Sequence, residues 1–241
     1  MNPPPLPALD APNQDPKLEF FLTASHQLKS PVAIIQWCLQ SVAEMKDVPP
    51  ETQKLAKKAL DQANGMSHLI QDMLQVFRLM NNQVGKTPLE AVSLNKIVEE
   101  ILGQYELVAH NKGVHLVHGA IENVPVIFAR ETFVRQAVIN LVDNAIKYTK
   151  PGSSVTVELL AKPDSILLNV ADQGIGIPDT EQSRIFTEFF RGEEAKDVSY
   201  EGTGLGLVLV KHVMSTVGGS VTFKSKFHEG TTFTATFPVK R

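Results

Sequence analysis

Positions spaced alternately four and three apart, Phe21, Ser25, Leu28, Val32, Ile35, Leu39 and Val42, form one stripe that is apolar at every place but Ser25. A 3.5-residue period predicts a helix carrying a coiled-coil or bundle seam. The pattern stops at "KDVPPE", where Pro49 and Pro50 end one helix and open the next. It resumes at Leu55, Ala59, Gln62, Met66, Leu69, Met73, Val76 and Met80. Two seamed helices joined by a short turn make an antiparallel hairpin. Phe20, Leu22, Ile34, Ile70, Leu74 and Phe77 lie beside the seam, where a lone hairpin cannot cover them. Two copies closing into a four-helix bundle would bury them, so a homodimer is expected.

After "GKTPLEAVS" the period changes. Helices are expected near 94–111 and 131–148 and from about 204, with strands at 114–118, 126–128, 155–160 and 166–171 and a terminal hairpin in "GGSVTFKSKFHEGTTFTATFPV". The fold class expected is therefore two domains. An all-α antiparallel helical hairpin, forming a dimeric four-helix bundle, is followed by an α+β domain, an α/β sandwich with one layer of helices on one of strands. The boundaries read are a proline-rich, disordered lead or linker remnant at 1–16, the hairpin at 17–84, an interdomain linker at 85–92 and the second domain at 93–241.

With 241 residues, 43% hydrophobic and 20% charged, the chain has the mix of a soluble globular protein. A net charge of −3 gives no basic footprint for nucleic acid or anionic membrane. No apolar run approaches the roughly 20 residues of a membrane span. The start has neither a basic nor an apolar leader segment. The expected location is cytoplasmic, as a free chain or as the cytosolic part of a longer membrane-bound protein. The single cysteine, Cys38, rules out an internal disulfide or thiolate cluster, and its apolar-periodic surroundings predict a buried small hydrophobe. His115 and His118 have odd spacing on a predicted strand, so they are poor metal partners.

Three stretches carry chemistry. In "NLVDNAIKYT", Asn140 and Asn144 share a helix face with Lys147 and Tyr148 one turn on. Two amide oxygens and a cation facing one way suit a Mg²⁺–polyphosphate, although paired asparagines are also common on polar helix faces. "DQGIGIP" follows a strand and supplies the carboxylate of Asp172, then Gly174 and Gly176 for close backbone approach. "GTGLGL" sets Gly202, Gly204 and Gly206 before a helix, whose free N–H groups favour phosphate. It departs from the dinucleotide fingerprint at Leu207, and no G-x-x-x-x-G-K-[ST] loop occurs anywhere.

In this order the motifs resemble the GHKL (Bergerat-fold) ATP-binding domain, and with the hairpin upstream the chain resembles a sensor histidine kinase over roughly residues 17–240. "ASHQLKSPV" is similar to the H-box, "NLVDNAIKYT" to the N-box, "DQGIGIP" to the G1 box, "IFTEFFR" to the F-box and "GTGLGL" to the G2 box. The resemblance implies His26 as phosphoacceptor, Asn144 on Mg²⁺ with Asn140 close to the metal and phosphates, and Lys147 on phosphate. It further implies Asp172 on the adenine amino group, with Thr231 assisting through water, and Arg191 facing the γ-phosphate. Tyr148, Gly174, Gly176 and the run Gly202, Thr203, Gly204, Leu205, Gly206 would complete the nucleotide site, with residues 190–202 as a flexible lid. ATP and Mg are thus the implied cofactors, and a separate response-regulator receiver domain the implied partner. ATPases of the superfamily carry a glutamate base where this chain has Asn140, so slow hydrolysis and transfer to His26 are expected.

His26 stands beside the helical seam facing outward, awkward for packing but suited to a nucleophile visited by another domain. Pro31 lacks the N–H that would bond the carbonyl of Gln27, so a bend is expected one turn beyond His26. Gln27 departs from the family's acidic residue: it orients the imidazole but cannot take its proton. Ser30 either holds a water for dephosphorylating a partner or is a plain helix serine before proline. The alternative to an autokinase is a degenerate kinase acting as an ATP-binding dimeric scaffold or as a phosphatase-dominant regulator.

Overall fold

A computed structural model describes residues 16–45, 47–80, 88–198 and 202–239. The expected lead and most of the expected linker lie outside them. So do the side chains of the seam residues Phe21, Val76 and Met80 and of His26.

Helices α1 (Pro16–Glu44) and α2 (Pro50–Met80) form the hairpin, with Pro31 inside α1. Val32 packs with Ile70 and Leu74, and Ala56 and Ala63 are buried. Gln36 Nε2 donates to Asn64 Oδ1 at 2.8 Å, a polar tie that fixes the antiparallel register. The hairpin interior keeps part of the seam expected from spacing, Ser25 and Val32 of α1 being buried, and departs from it on α2. Ile70 and Leu74, expected beside the seam, close it, while the expected seam residues Leu28, Leu55 and Met66 are 50%, 66% and 54% exposed. The small side chains at Ala56 and Ala63 let the helices approach on that face, which turns the larger residues outward. Cys38, expected to be buried, is exposed on α1 beside Trp37. Among the described residues no helix is long and apolar enough to cross a membrane.

The second region is built on a five-stranded sheet. Its elements are β1 (Glu90–Val92), α3 (Leu94–Lys112), β2 (His115–Ile121), β3 (Ile127–Ala129), α4 (Glu131–Tyr148), β4 (Ser154–Ala161) and β5 (Ser165–Asp172). These are followed by α5 (Asp179–Gln182), α6 (Glu193–Val198), α7 (Gly206–Thr216), β6 (Ser220–Lys226) and β7 (Gly230–Pro238). The strand order is β2-β4-β5-β7-β6, with β2 parallel to β4 and the other pairs antiparallel. Residues 90–92, read as linker from sequence, form β1 and pair antiparallel with β3.

Alternation along the strands explains the layers. Val155, Val157 and Leu159 of β4, Ile166, Leu168 and Val170 of β5, and Phe233, Ala235 and Phe237 of β7 are buried. They share one core with Ile97, Ile101 and Leu102 of α3, Val138, Leu141 and Val142 of α4, and Leu209, Val210 and Val213 of α7. The opposite sheet face is polar: Thr234 Oγ1 donates to Asn169 Oδ1 at 2.8 Å, and Asn169 Nδ2 donates to Glu158 Oε2 at 3.3 Å. Ser93 caps α3 by accepting from Lys96 N–H, and Gly113 ends it in the left-handed region at φ 73°. Arg135 ties α4 to α3 through Glu100 at 2.8 Å while pairing with Glu131 on its own helix. The side chain of Met73 packs against the core of this region, so α2 borders it.

Candidate active site

A cavity of about 640 Å³ opens where α4, the end of β5 and the loop leading into α7 converge. α4 supplies the wall. Its polar face, Asn140, Asn144 and Lys147, looks into the cavity because its apolar face is spent on the core. Asn140 Nδ2 reaches toward Gly206 O at 3.5 Å, linking α4 to the start of α7.

Asp172 closes the far end. Its Oδ1 accepts from Gly174 N–H at 2.9 Å and from Thr231 N–H at 3.2 Å. Burial pushes the carboxyl up to about 6, against the downward pull of those two bonds. Both bonds fall on Oδ1, and the residue lines the cavity. Gly174 bridges Thr149, and a Cβ there would stand 2.7 Å from Asp172 Oδ1. The strand-end turn is braced by Ser225: its Oγ accepts from Ile177 N–H at 2.8 Å and lies 2.9 Å from Thr231 Oγ1.

Arg191 and Tyr148 line the same cavity, and their phenol and guanidinium share a hydrogen bond. Burial pushes the Tyr148 phenol up, partly countered by the charge of Arg191. Arg191 Nη2 also donates to Ala195 O at 3.1 Å. Gly202 lies against this guanidinium, since a Cβ there would be 3.0 Å from Arg191 Cζ. Gly204, at φ 70°, lies on Phe189, where a Cβ would sit 2.7 Å from the carbonyl carbon.

Asn140, Asn144, Lys147, Tyr148, Asp172, Gly176, Arg191, Gly202, Thr203, Gly204, Gly206 and Thr231 all line this one cavity. Gly174 and Leu205 do not: the first shapes the turn under Asp172, and the second is a core residue at 2% exposure. Gln27 and Ser30 are exposed on α1 away from the cavity. Within the expected flexible lid, residues 193–198 form helix α6, opened by Glu193 and Glu194 and stitched by a Lys196–Glu193 pair at 2.8 Å.

Several lining residues have no local signal in the sequence. Tyr105 and Lys112 reach the cavity from α3, and Gly65 and Gln71 reach it from α2. Tyr105 is hydrogen-bonded to Asp143, and burial with that carboxylate's charge pushes its phenol up to about 12. No cluster of three or more His, Cys, Asp or Glu suited to a metal exists among the described residues. A cation here would depend on amide oxygens and the ligand's own oxygens, a donor set that fits Mg²⁺.

Comparison with known proteins accounts for this architecture. Residues 17–82 match the His Kinase A (phospho-acceptor) domain, and residues 129–241 match the histidine kinase-, DNA gyrase B- and HSP90-like ATPase family. The sensor-like histidine kinase SenX3 of Mycobacterium tuberculosis (strain ATCC 25618 / H37Rv) is 31% identical over 91% of this chain and 53% of its own length. The chain belongs to the sensor histidine kinases.

The adaptive-response sensory kinase SasA of Crocosphaera subtropica is 33% identical over 90% of this chain and 58% of its own length. The chain thus spans little more than half the length of such kinases. Among solved structures, mycobacterial sensor histidine kinase MprB aligns with 62% of this chain and 97% of its own at 28% identity, with a TM-score of 0.55. Full-length ShkA in complex with AMPPNP shares the fold at a TM-score of 0.69 and 24% identity, over 91% of this chain and 45% of that one. The kinase modules end at 82 and begin at 129, so α3 lies between them.

Proposed function

We propose that this chain is the catalytic core of a two-component sensor kinase that uses ATP to phosphorylate His26 and passes the phosphoryl group to an aspartate on a separate response regulator. The observation that carries the reading is the meeting of Asn140, Asn144, Lys147, Asp172 and Arg191 around one cavity that α2, of the hairpin bearing His26, also borders. Asp172 reads the adenine amino group through a carboxylate that the protein has already desolvated. Lys147 and Arg191 take the phosphates. Asn144, with Asn140, holds Mg²⁺, which when bound neutralises phosphate charge.

The neutral imidazole of His26 forms the N–P bond as the bond from the γ-phosphorus to the bridging oxygen breaks; ADP leaves, and the ring proton goes to solvent because Gln27 cannot accept it. Asn140 cannot activate water as a carboxylate could, which preserves the phosphoryl group for the histidine. Dependence on ATP puts the reaction in the cytoplasm. We divide the chain into a phosphotransfer hairpin over 17–84 and a catalytic region that begins near β1, and we read the outward stripe of Leu28, Leu55 and Met66 as the homodimer face.

Incubation with γ-labelled ATP and Mg²⁺ tests the proposal. Label that is acid-labile, base-stable and lost in His26→Ala is the expected result. An unlabelled chain that still binds ATP would defeat it.

A further inference from the structure

We propose that Lys112, on α3 and outside both matched modules, is a positioning residue that holds the end of α4 so that Lys147 meets the phosphates; this rests on the nucleotide site proposed above. The geometry is an account of the last four carbonyls of α4, which a helix leaves without partners of its own. Ala145 O accepts from Thr149 Oγ1 at 2.7 Å, and Tyr148 O accepts from Ile175 N–H at 3.2 Å. The two between them, Ile146 O at 2.7 Å and Lys147 O, both accept from Lys112 Nζ. One side chain from another helix thus satisfies half of the terminus that carries the phosphate-facing lysine.

Lys112 is itself held in place by backbone. It is the final residue of α3; Gly113 follows at φ 73°, its N–H returning to Ala109 O and His110 O. The Gly113 carbonyl in turn accepts from Gly152 N–H at 2.7 Å, in the loop just past α4. The two helix ends are locked together, and the ammonium bridges them inside the cavity wall.

The electrostatics fit a wall prepared for an anion. Burial pushes the Lys112 ammonium down, and the neighbouring charge of Lys147 pushes it the same way, with Asp143 opposing. Helix-terminal carbonyls stabilise the half-buried cation, and a polyphosphate relieves the repulsion between the two lysines. Lys112 acts through Lys147, because two of its three N–H donors are committed to the carbonyls of the helix end that carries Lys147.

The test titrates the full chain, Lys112→Met, Lys147→Met and the double variant with Mg²⁺-ATP and, separately, with adenosine, by calorimetry, with thermal melts alongside. Loss of a charge-assisted bond pair should weaken ATP binding roughly tenfold in Lys112→Met and leave adenosine within about twofold. In the Lys147→Met background the same change should add less than about twofold, because coupled residues are not additive. Unchanged ATP affinity, a full tenfold loss persisting without Lys147, or an equal loss for adenosine each overturns the inference. If the methionine variant does not fold, Lys112→Gln carries the same comparison. A wild-type chain that binds no ATP would sink the kinase reading and this role with it, whereas ATP binding that Lys112→Met leaves unchanged would sink the role alone.

Discussion

Asp172 and Thr231 face each other across β5 and β7, and the Thr231 N–H donates to the Asp172 carboxylate over 3.2 Å. A second N–H, from Gly174, lands on the same oxygen, yet burial still pushes the group up to about 6. The ionised form is the better acceptor for an adenine amino group. Adenosine, which has no phosphate to titrate, should therefore bind more weakly as pH falls from 7 through 6. Asp172→Asn should bind it about 10- to 100-fold more weakly and without that pH dependence. Calorimetry between pH 5.5 and 8 decides; a flat wild-type profile would remove the role given to this carboxylate.

The same shift has a consequence for folding. The folded carboxyl titrates near 6 and the unfolded one near 3.8, so between these values the folded state binds more protons. Stability from this group falls as pH rises through that window. Relative to Asp172→Asn, the wild type should gain stability as the pH is lowered from 7 to 5. Denaturant midpoints of the two chains at both pH values measure it, and parallel changes would show that the carboxyl is not buried as described.

Gly176 sits at φ 65° under the β6–β7 turn, where a Cβ would collide with Lys226 O and stand 2.9 Å from Phe227 Cα. Both the conformation and the space exclude a side chain. Gly176→Ala should cost about 2 kcal/mol or more and weaken nucleotide binding, because the turn also braces Asp172. Gly152, at φ 83° with nothing within 4 Å, is the control: alanine there meets only the backbone penalty, about 1 kcal/mol. Equal losses in chemical denaturation would mean that steric contact with the turn is not what demands glycine.

What could be read in advance was local. The face carrying Asn140, Asn144 and Lys147 follows from helical spacing, and α4 begins and ends where the pattern predicts. Ser93 and Gly113 bound α3 with chemistry visible in a few residues. Lys112 was invisible because its partners are 34 and 35 residues away, and Ser225 because its bond to Ile177 spans 48. The α2 half of the hairpin seam departs from the spacing for a different reason. Leu55, Met66 and Leu69 are larger and share the expected period, but the helices close on the smaller Ala56 and Ala63. Apolar spacing identifies both stripes and does not say which one faces the same chain.

The outward stripe has its own test. Leu28, Ile35, Leu55, Met66 and Leu69 are all exposed on the single hairpin, more apolar surface than a helix pair leaves to water without a partner. Leu69→Glu should convert a dimer to a monomer in light scattering and leave adenosine affinity within about twofold, since Leu69 lines no part of the cavity. A wild-type chain that is already monomeric at micromolar concentration would count against the dimer, whatever the variant does.

Gln27 is exposed on α1 beside His26 and away from the nucleotide cavity, so it can affect the transfer step without touching ATP binding. In the proposed reaction an amide at this place has no basic oxygen to take the ring proton, which would leave to water as the N–P bond forms. A carboxylate could take it, and general-base catalysis of this kind is worth about 10²–10⁴ in rate where the geometry is good. Gln27→Glu should therefore raise the maximal autophosphorylation rate at least about tenfold while the ATP concentration at half-maximal rate stays fixed. That signature is the reverse of the one expected for Lys112→Met, which shifts ATP dependence first. If the glutamate variant labels His26 no faster than the wild type, proton removal does not limit the reaction, and the amide is present for orientation alone.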